Sequence, residues 1–271
     1  MDCRDRTNPG PSGEDQATGP RLALVARVRT LHDGLVTSSR PSASLTVHGP
    51  LEQLRAGRLA RRLPQLFAGL ALFGFSMAMM LRSDLGLAPW DVLTEGLAHR
   101  LPLSFGTITI LVSVVVLLLW VPLRQRPGLG TIANVFVVGV AVDVGLAVLH
   151  TPSSLVLQVL LLVGGLVANG LAGAVYIGSQ FGPGPRDGLM TGLARRTGAS
   201  LRLVRTGIEV VVLAAGFLLG GTVGVGTVLY AVGIGPLTQL FLPRVAVRLD
   251  APASAGASGQ PRPATSATAG G

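Results

Sequence analysis

Lysine is absent from this sequence, and charged residues of any kind are scarce. All 22 basic residues of the 271-residue chain are arginines, and charged residues make up 13% of it, against about 25% in soluble domains. The arginines lie in the tails and in the connections between apolar segments, so the net charge of +9 favours control of membrane topology over nucleic-acid binding. The composition argues against an ordinary soluble domain and against a nucleic-acid partner.

Cysteine is nearly absent as well. Because Cys3 is the only one, the chain forms no internal disulfide and no cysteine-based metal site. No His, Cys and Asp residues follow metal-ligand spacing, and neither a G-x-S-x-G motif nor a plausible catalytic triad is present. We therefore expect no enzymatic activity, no cofactor and no metal.

Six long apolar segments fill the middle of the chain. A segment of about 20 apolar residues forms a helix long enough to cross the hydrocarbon core of a bilayer. The sequence therefore predicts an all-α membrane protein with six spans, at residues 63–81, 105–123, 129–149, 155–177, 203–219 and 225–242.

Polar, low-complexity tails flank these segments. Residues 1–60 are rich in Pro, Gly, Ser and charged residues and lack the apolar core of a signal peptide, and residues 244–271 are rich in Ala, Gly, Ser and Thr. Such compositions do not bury enough apolar surface to fold, so we expect both tails to be disordered.

An internal repeat divides the apolar region into units 61–150 and 151–243. Shifting the chain by 96 residues places residues 85–106 on residues 181–202 without a gap, and nine of the 22 aligned residues are identical. The same register aligns two GxGT segments, at 128–131 and 224–227. Each unit has three predicted spans, and an odd number requires the second unit to enter the bilayer from the opposite side.

The arginines support this inverted arrangement. With the N-terminus inside, only Arg82 and Arg100 fall on the outer side, and the inner side is strongly enriched, as bacterial topology requires. Both termini are then cytoplasmic. The inner arginines are Arg55, Arg58, Arg61, Arg62, Arg124, Arg126, Arg186, Arg195, Arg196, Arg202, Arg205, Arg244 and Arg248.

The duplicated segment reads G-x-x-P-x-D-x-L-x-x-G-L-A-x-R and predicts a short interfacial or re-entrant helix in each repeat. Proline suits the first turn of a helix, and an Asp two residues later meets free N–H groups and the positive end of the helix dipole. The glycines allow an unusual backbone angle at the start and close packing later on. The motif positions are Gly86, Pro89, Asp91 and Gly96 in the first copy and Gly182, Pro185, Asp187 and Gly192 in the second.

Several polar residues lie where a solute or ion path could run. Asp91 and Asp187 have a simpler interpretation, in which they only cap and register their helices. The alternative is a transport site, because interrupted segments at matching places in two inverted halves are typical of one. Ionisable and amide groups within spans are costly and therefore suggest function. Glu209 lies four residues after Arg205, so an ion pair within one helix is the simpler explanation there. The candidate path residues are Asp91, Asp187, Asp143, Asn169 and Glu209.

The segments LGLAPWDVL, SFGT, RPGLGT and GPGPRDGLMTGLARRTG resemble the YczE/YitT-type bacterial integral membrane proteins, in the YczE-like branch. The resemblance covers residues 60–243 and implies a multi-pass protein of the bacterial cytoplasmic membrane. The expected partners are the lipid bilayer and, under the first hypothesis, a small solute. Under that hypothesis the protein is a permease, which requires a polar cavity between the halves. The alternative is a non-transporting scaffold or accessory partner of another complex, packed without a cavity. The sequence leaves substrate, coupling ion and homo-oligomerisation open.

Overall fold

The computed structural model describes residues 57–247, and the expectations for both tails lie largely outside this range. Within it the only regular secondary structure is α-helix. The eight helices are α1 Leu59–Ser83, α2 Pro89–Ala98, α3 Phe105–Leu118, α4 Leu129–Val148, α5 Leu155–Gly178, α6 Pro185–Thr197, α7 Leu201–Leu218 and α8 Val225–Val245.

Four of these helices, α1, α4, α5 and α8, are long and apolar enough to cross a membrane, rather than the six predicted. Helix α3 has 14 residues and is about 21 Å long at the usual rise. It is shorter than the predicted span 105–123 because the chain turns at residues 119–124. Helix α7 has 18 residues but carries three charged groups, Arg202, Arg205 and Glu209.

Apolar side chains cover the outside of the long helices. Val140 and Val144 on α4 and Leu160 on α5 are each more than half exposed. An exposed apolar surface of this extent is unfavourable in water and favourable against lipid. The surface thus agrees with the composition in making the chain a membrane protein.

The two halves repeat the same order of helices. Each helix of the second half begins 96 residues after its counterpart, at Leu59 and Leu155, Pro89 and Pro185, Phe105 and Leu201, and Leu129 and Val225. The GxGT segments begin α4 and α8 alike. The Gly128 N–H donates to the Thr131 hydroxyl at 3.1 Å, and the Gly224 N–H donates to the Thr227 hydroxyl at 3.3 Å.

The halves also exchange backbone hydrogen bonds. The Gly130 N–H in the first half donates to the Phe181 carbonyl in the second at 2.9 Å. The pair shifted by 96 residues runs the other way, from the Gly226 N–H to the Leu85 carbonyl at 2.8 Å. Reciprocal contacts of this kind are characteristic of two units related by a two-fold axis.

Helix α1 packs along both α4 and α5. A Cβ atom added to Gly69 would come within 2.7 Å of the Tyr176 backbone nitrogen, and one added to Gly74 would overlap the α4 backbone at Val138. Small residues therefore let these helix backbones approach closely, the usual mode of helix association in membranes.

A buried arginine fastens the start of α1 to the end of α5. The Arg62 guanidinium donates to the Ser179 carbonyl at 2.9 Å and to the Gln180 carbonyl at 3.0 Å. It also lies 4.2 Å from the centre of the Phe181 ring. The arginine thereby satisfies carbonyl groups that the helix end leaves without an intrahelical partner.

Candidate functional site

The two motif helices begin next to each other. Pro89 and Pro185 occupy their first turns, after residues with extended backbone, and the third residue of each helix is the motif aspartate. The Arg186 guanidinium lies 3.3 Å from an Asp91 carboxylate oxygen and 5.2 Å from the centre of the Trp90 ring. Trp90 and Arg186 are themselves 96 residues apart, so equivalent positions of the two halves are in contact.

Burial affects the ionisation of Asp91, whose helix α2 lies outside the four candidate spans. Removal from solvent raises the pKa of the Asp91 carboxyl above its ordinary value, and the charge and hydrogen bond of Arg186 oppose that shift. The guanidinium therefore favours the ionised form of the carboxylate, whereas burial favours the neutral form.

A cavity of about 270 Å³ opens where these helix ends meet. Its wall receives side chains from both halves and combines aromatic rings with amide, hydroxyl and charged groups. The polar and aromatic wall residues include Trp90, Asn134, Asn169, Tyr176, Asp187 and Tyr230. A concave site with a few convergent polar groups is the usual form of a small-molecule site.

Asp187 lies on the cavity wall and is exposed. Its Oδ2 atom accepts a hydrogen bond of 2.7 Å from the Tyr176 hydroxyl. Within residues 57–247 no arginine or histidine lies within ion-pair distance of this carboxylate. Asp187 therefore presents a negative charge to the cavity, unlike Asp91, which is turned against Arg186.

Asn169 is almost fully buried and is held from both ends. Its amide nitrogen donates to the Ser76 hydroxyl at 2.8 Å, and its oxygen accepts from the Tyr230 hydroxyl at 3.2 Å. These bonds join α1, α5 and α8 beneath the cavity. The network fixes the orientation of the amide and of the Tyr230 ring.

Glu209 forms the ion pair that its spacing predicted. The Arg205 Nε atom lies 2.9 Å from Glu209 Oε1, one turn apart on α7. Both residues line the cavity. The pair places one charge of each sign at its α7 edge.

Asp143 lies outside the cavity. It is not among the cavity-lining residues; instead its carboxylate accepts from the Ser104 hydroxyl at 2.6 Å and from the Gly106 N–H at 2.7 Å. These bonds fasten the start of α3 to α4.

The motif glycines serve packing and turns around the site. Gly86 has a φ of 114°, and an added Cβ would lie 2.7 Å from the Gly224 nitrogen. Gly96 packs on the Gly216 carbonyl, which an added Cβ would approach to 2.6 Å. Gly182 has a φ of 103°, and Gly192 faces the Gln125 side chain, 3.0 Å from such a Cβ. At Gly86 and Gly182 the positive φ itself disfavours any other residue.

Sequence reasoning missed the aromatic residues and Arg186 as parts of the site. The chain has two tyrosines, and both Tyr176 and Tyr230 line the cavity. Arg186 was counted with the topology-setting arginines, yet it belongs to the motif and follows Pro185 directly. An arginine inside a helix-starting motif, rather than in a loop, is the signal that could have identified it.

The described residues offer little for a metal. No group of three or more His, Cys, Asp or Glu side chains within residues 57–247 is arranged to hold a metal ion. The site combines hydrogen-bonding groups and aromatic faces with two ion pairs and the carboxylate of Asp187.

Comparison with known proteins places these features in a family. The chain is 39% identical over 177 residues to an uncharacterized protein of Haemophilus influenzae, covering 65% of this chain and 81% of that protein. It is 29% identical over 180 residues to the uncharacterized membrane protein YczE of Bacillus subtilis, covering 66% of this chain and 84% of YczE. It is 28% identical over 181 residues to the uncharacterized protein YyaS of the same organism, covering 65% of this chain and 90% of YyaS.

No solved structure matches the chain. The similarity to YczE agrees with the expected YczE-like resemblance, and the chain is a helical membrane protein. A family model described as a family of unknown function, DUF6198, matches residues 60–243. Because this match covers well over half of the sequence, the chain belongs to the DUF6198 family.

Proposed function

We propose that this protein is a small-solute permease of the bacterial cytoplasmic membrane and that its solute occupies the cavity between α2 and α6. The observation that carries the proposal is the meeting of two interrupted, helix-starting segments, one from each half, at a polar cavity. Segments of this kind bind substrates in transporters because their helix starts and irregular backbone offer polar groups within the protein interior.

The relation between the halves supports an inverted repeat. Equal helix offsets, reciprocal hydrogen bonds and the contact of Trp90 with Arg186 all favour a two-fold axis through the cavity. The arginine distribution favours an axis within the membrane plane, with both termini in the cytoplasm. This arrangement requires α3 and α7 to cross the membrane in addition to the four longer helices. A solute site on such an axis would be reachable from either side in turn.

The two halves differ in how tightly they close around the cavity. Helix α3 packs along α4, where a Cβ added to Gly139 would lie 2.5 Å from Ile110. The counterpart of Gly139 is Gly235, which lines the cavity and has nothing within 4 Å of such a Cβ. The cavity is therefore more open between α7 and α8, beside the charged Arg205 and Glu209.

The cavity argues against the scaffold alternative. A purely packing protein would fill the interface between its halves with small and apolar side chains, because buried polar groups cost free energy unless they are satisfied. Here the interface holds the exposed carboxylate of Asp187 and an indole N–H of Trp90 that has no hydrogen-bond partner among the described residues.

A proteoliposome uptake screen tests the proposal. Purified protein is reconstituted and supplied with labelled amines, amino acids, sugars and carboxylates, with protein-free vesicles as the blank. Asp187→Asn should slow the uptake of the transported solute by about tenfold or more, since an interaction with a charged group contributes roughly 1.5 kcal/mol or more. Asp143→Asn is the matched control, because it removes the same charge outside the cavity.

Two results would count against a permease. One is the absence of uptake for every class of solute by protein that is folded and inserted. The other is uptake that Asp187→Asn and Asp143→Asn reduce to the same extent, because a cavity site requires the two variants to differ.

A further inference from the structure

Within residues 57–247, one of the two motif aspartates has an ion-pair partner and the other has none. Asp91 of the first copy pairs with Arg186, the residue that precedes Asp187 in the second copy. By the 96-residue correspondence, Asp187 should pair with residue 90 of the first copy. That residue is Trp90, whose ring carries no charge. The second half therefore places the Arg186 guanidinium beside Asp91 of the first half. At the equivalent position the first half has the uncharged ring of Trp90, which contacts Arg186.

We infer that the cavity binds a small organic cation, which takes the place of the missing guanidinium at Asp187 beside the aromatic wall. This inference rests on the proposed function and adds the class of solute to it. A carboxylate combined with aromatic rings is the usual recognition site for substituted ammonium groups, because the ring faces and the carboxylate both attract positive charge.

The other charges around the cavity do not oppose a cation. The guanidinium of Arg186 lies 3.3 Å from Asp91, and that of Arg205 lies 2.9 Å from Glu209. Each positive group thus has its own carboxylate at ion-pair distance, whereas Asp187, whose charge acts on Arg205 from farther away, has no ion pair within residues 57–247. A bound anion would have to face Asp187 without a cation to compensate it.

The aromatic residues concentrate where the cation would lie. Aromatic residues make up 4% of the chain, yet Phe73, Trp90, Tyr176 and Tyr230 all line this cavity. The Tyr176 hydroxyl donates to Asp187 Oδ2 at 2.7 Å, which orients the carboxylate and leaves Oδ1 for another donor. A cavity of about 270 Å³ accommodates a small molecule of this kind.

Equilibrium binding of tetramethylammonium tests the inference without requiring transport. The chain has two tryptophans, so a Trp120→Phe background leaves Trp90 on the cavity wall as the single fluorescent reporter. Tetramethylammonium chloride should change its fluorescence saturably, while sodium chloride at equal ionic strength and the neutral isostere tert-butanol should not. Asp187→Asn should weaken the binding of tetramethylammonium by about tenfold, as expected for loss of a charged partner.

The matched control is Asp84→Asn. Asp84 is exposed and lies at the end of α1 with a φ of 55°, a conformation that asparagine tolerates well. It should bind tetramethylammonium like the parent. Should Asp187→Asn fail to fold, Trp90→Leu provides a second variant, with the ligand-induced rise in thermal unfolding midpoint as the measurement and a loss of that rise as the expected result.

Equal responses to tetramethylammonium and tert-butanol, or unchanged binding by Asp187→Asn, would overturn the inference. Failure of the inference and failure of the proposed function are distinguishable. Protein that carries a neutral or anionic solute but does not bind tetramethylammonium remains a permease and refutes the cation site. Protein that binds tetramethylammonium through Asp187 but carries no solute retains the site and refutes the permease.

Discussion

The contact between α2 and α7 gives a sharp prediction for Gly216→Ala. A Cβ at this position would lie 2.5 Å from the Leu93 nitrogen, 2.6 Å from the Val92 carbonyl carbon and 2.7 Å from the Leu93 Cα. All three are backbone atoms, so no side-chain rotation relieves the overlap. Helix α2 would have to move by roughly 1 Å, and overpacking of this kind typically costs about 1–3 kcal/mol.

Gly207→Ala on the same helix provides the control. An added Cβ at Gly207 meets nothing within 4 Å. Both substitutions gain the same helix propensity, about 1 kcal/mol for Gly to Ala, so the difference between them isolates the contact with α2. We expect Gly216→Ala to be about 1–3 kcal/mol less stable than Gly207→Ala.

The measurement is the free energy of unfolding in mixed micelles, with increasing amounts of a denaturing detergent and the tryptophan fluorescence as the signal. Trp90 lies on α2, so it also reports a displacement of that helix in the folded state. Equal free energies of unfolding for the two variants would refute the close packing of α2 on α7.

Three further predictions concern separate parts of the structure. Trp120→Phe should lower the free energy of unfolding by about 1 kcal/mol more than Trp90→Phe, because the Trp120 indole donates to the Pro185 carbonyl at 3.0 Å and the Trp90 indole has no partner within the described part of the chain; chemical denaturation compares them. Asp143→Ala should destabilise the protein by about 1 kcal/mol, because it removes the hydrogen bonds from the exposed Ser104 hydroxyl and the part-buried Gly106 N–H at the start of α3, measured in the same way. In a Cys3→Ser background, Leu101→Cys and Thr197→Cys should react with an impermeant maleimide from opposite sides of the membrane. Reaction of both cysteines from the same side would contradict the inverted repeat.

Much of the helical framework follows from local sequence patterns. Pro89 and Pro185 begin short helices, and the GxGT threonines accept the N–H of the preceding helix-starting glycines. These features depend on residues within one turn of each other, so composition and spacing are sufficient to predict them.

The number of spans was harder to predict because hydropathy does not register where a helix stops. Residues 119–123 are almost wholly apolar, yet the chain turns there, and Trp120 donates to the Pro185 carbonyl of another helix. Tertiary contacts of this kind are not visible to hydropathy, although Pro122 within the segment disfavours helix and is a local signal for the turn.

The partners of the site residues were also not predictable from local sequence, because they lie far away along the chain. The partner of Asp143 lies 39 residues away at Ser104, and the partner of Asp91 lies 95 residues away at Arg186. The repeat identified Asp91 and Asp187 as equivalent, but only the packed halves reveal that their surroundings differ. A repeat predicts which residues correspond, whereas the differences between the copies determine the chemistry.

The exchanged hydrogen bonds between Gly130 and Phe181 and between Gly226 and Leu85 have a consequence for how the chain can be divided. Neither four-helix fragment completes its own backbone pairing, because each uses a donor or an acceptor carried by the other. A break in the connection at residues 149–154 would therefore yield fragments that need one another, and co-expressed fragments should reassemble. A fragment expressed alone should satisfy the same groups by pairing with a second copy in the opposite orientation.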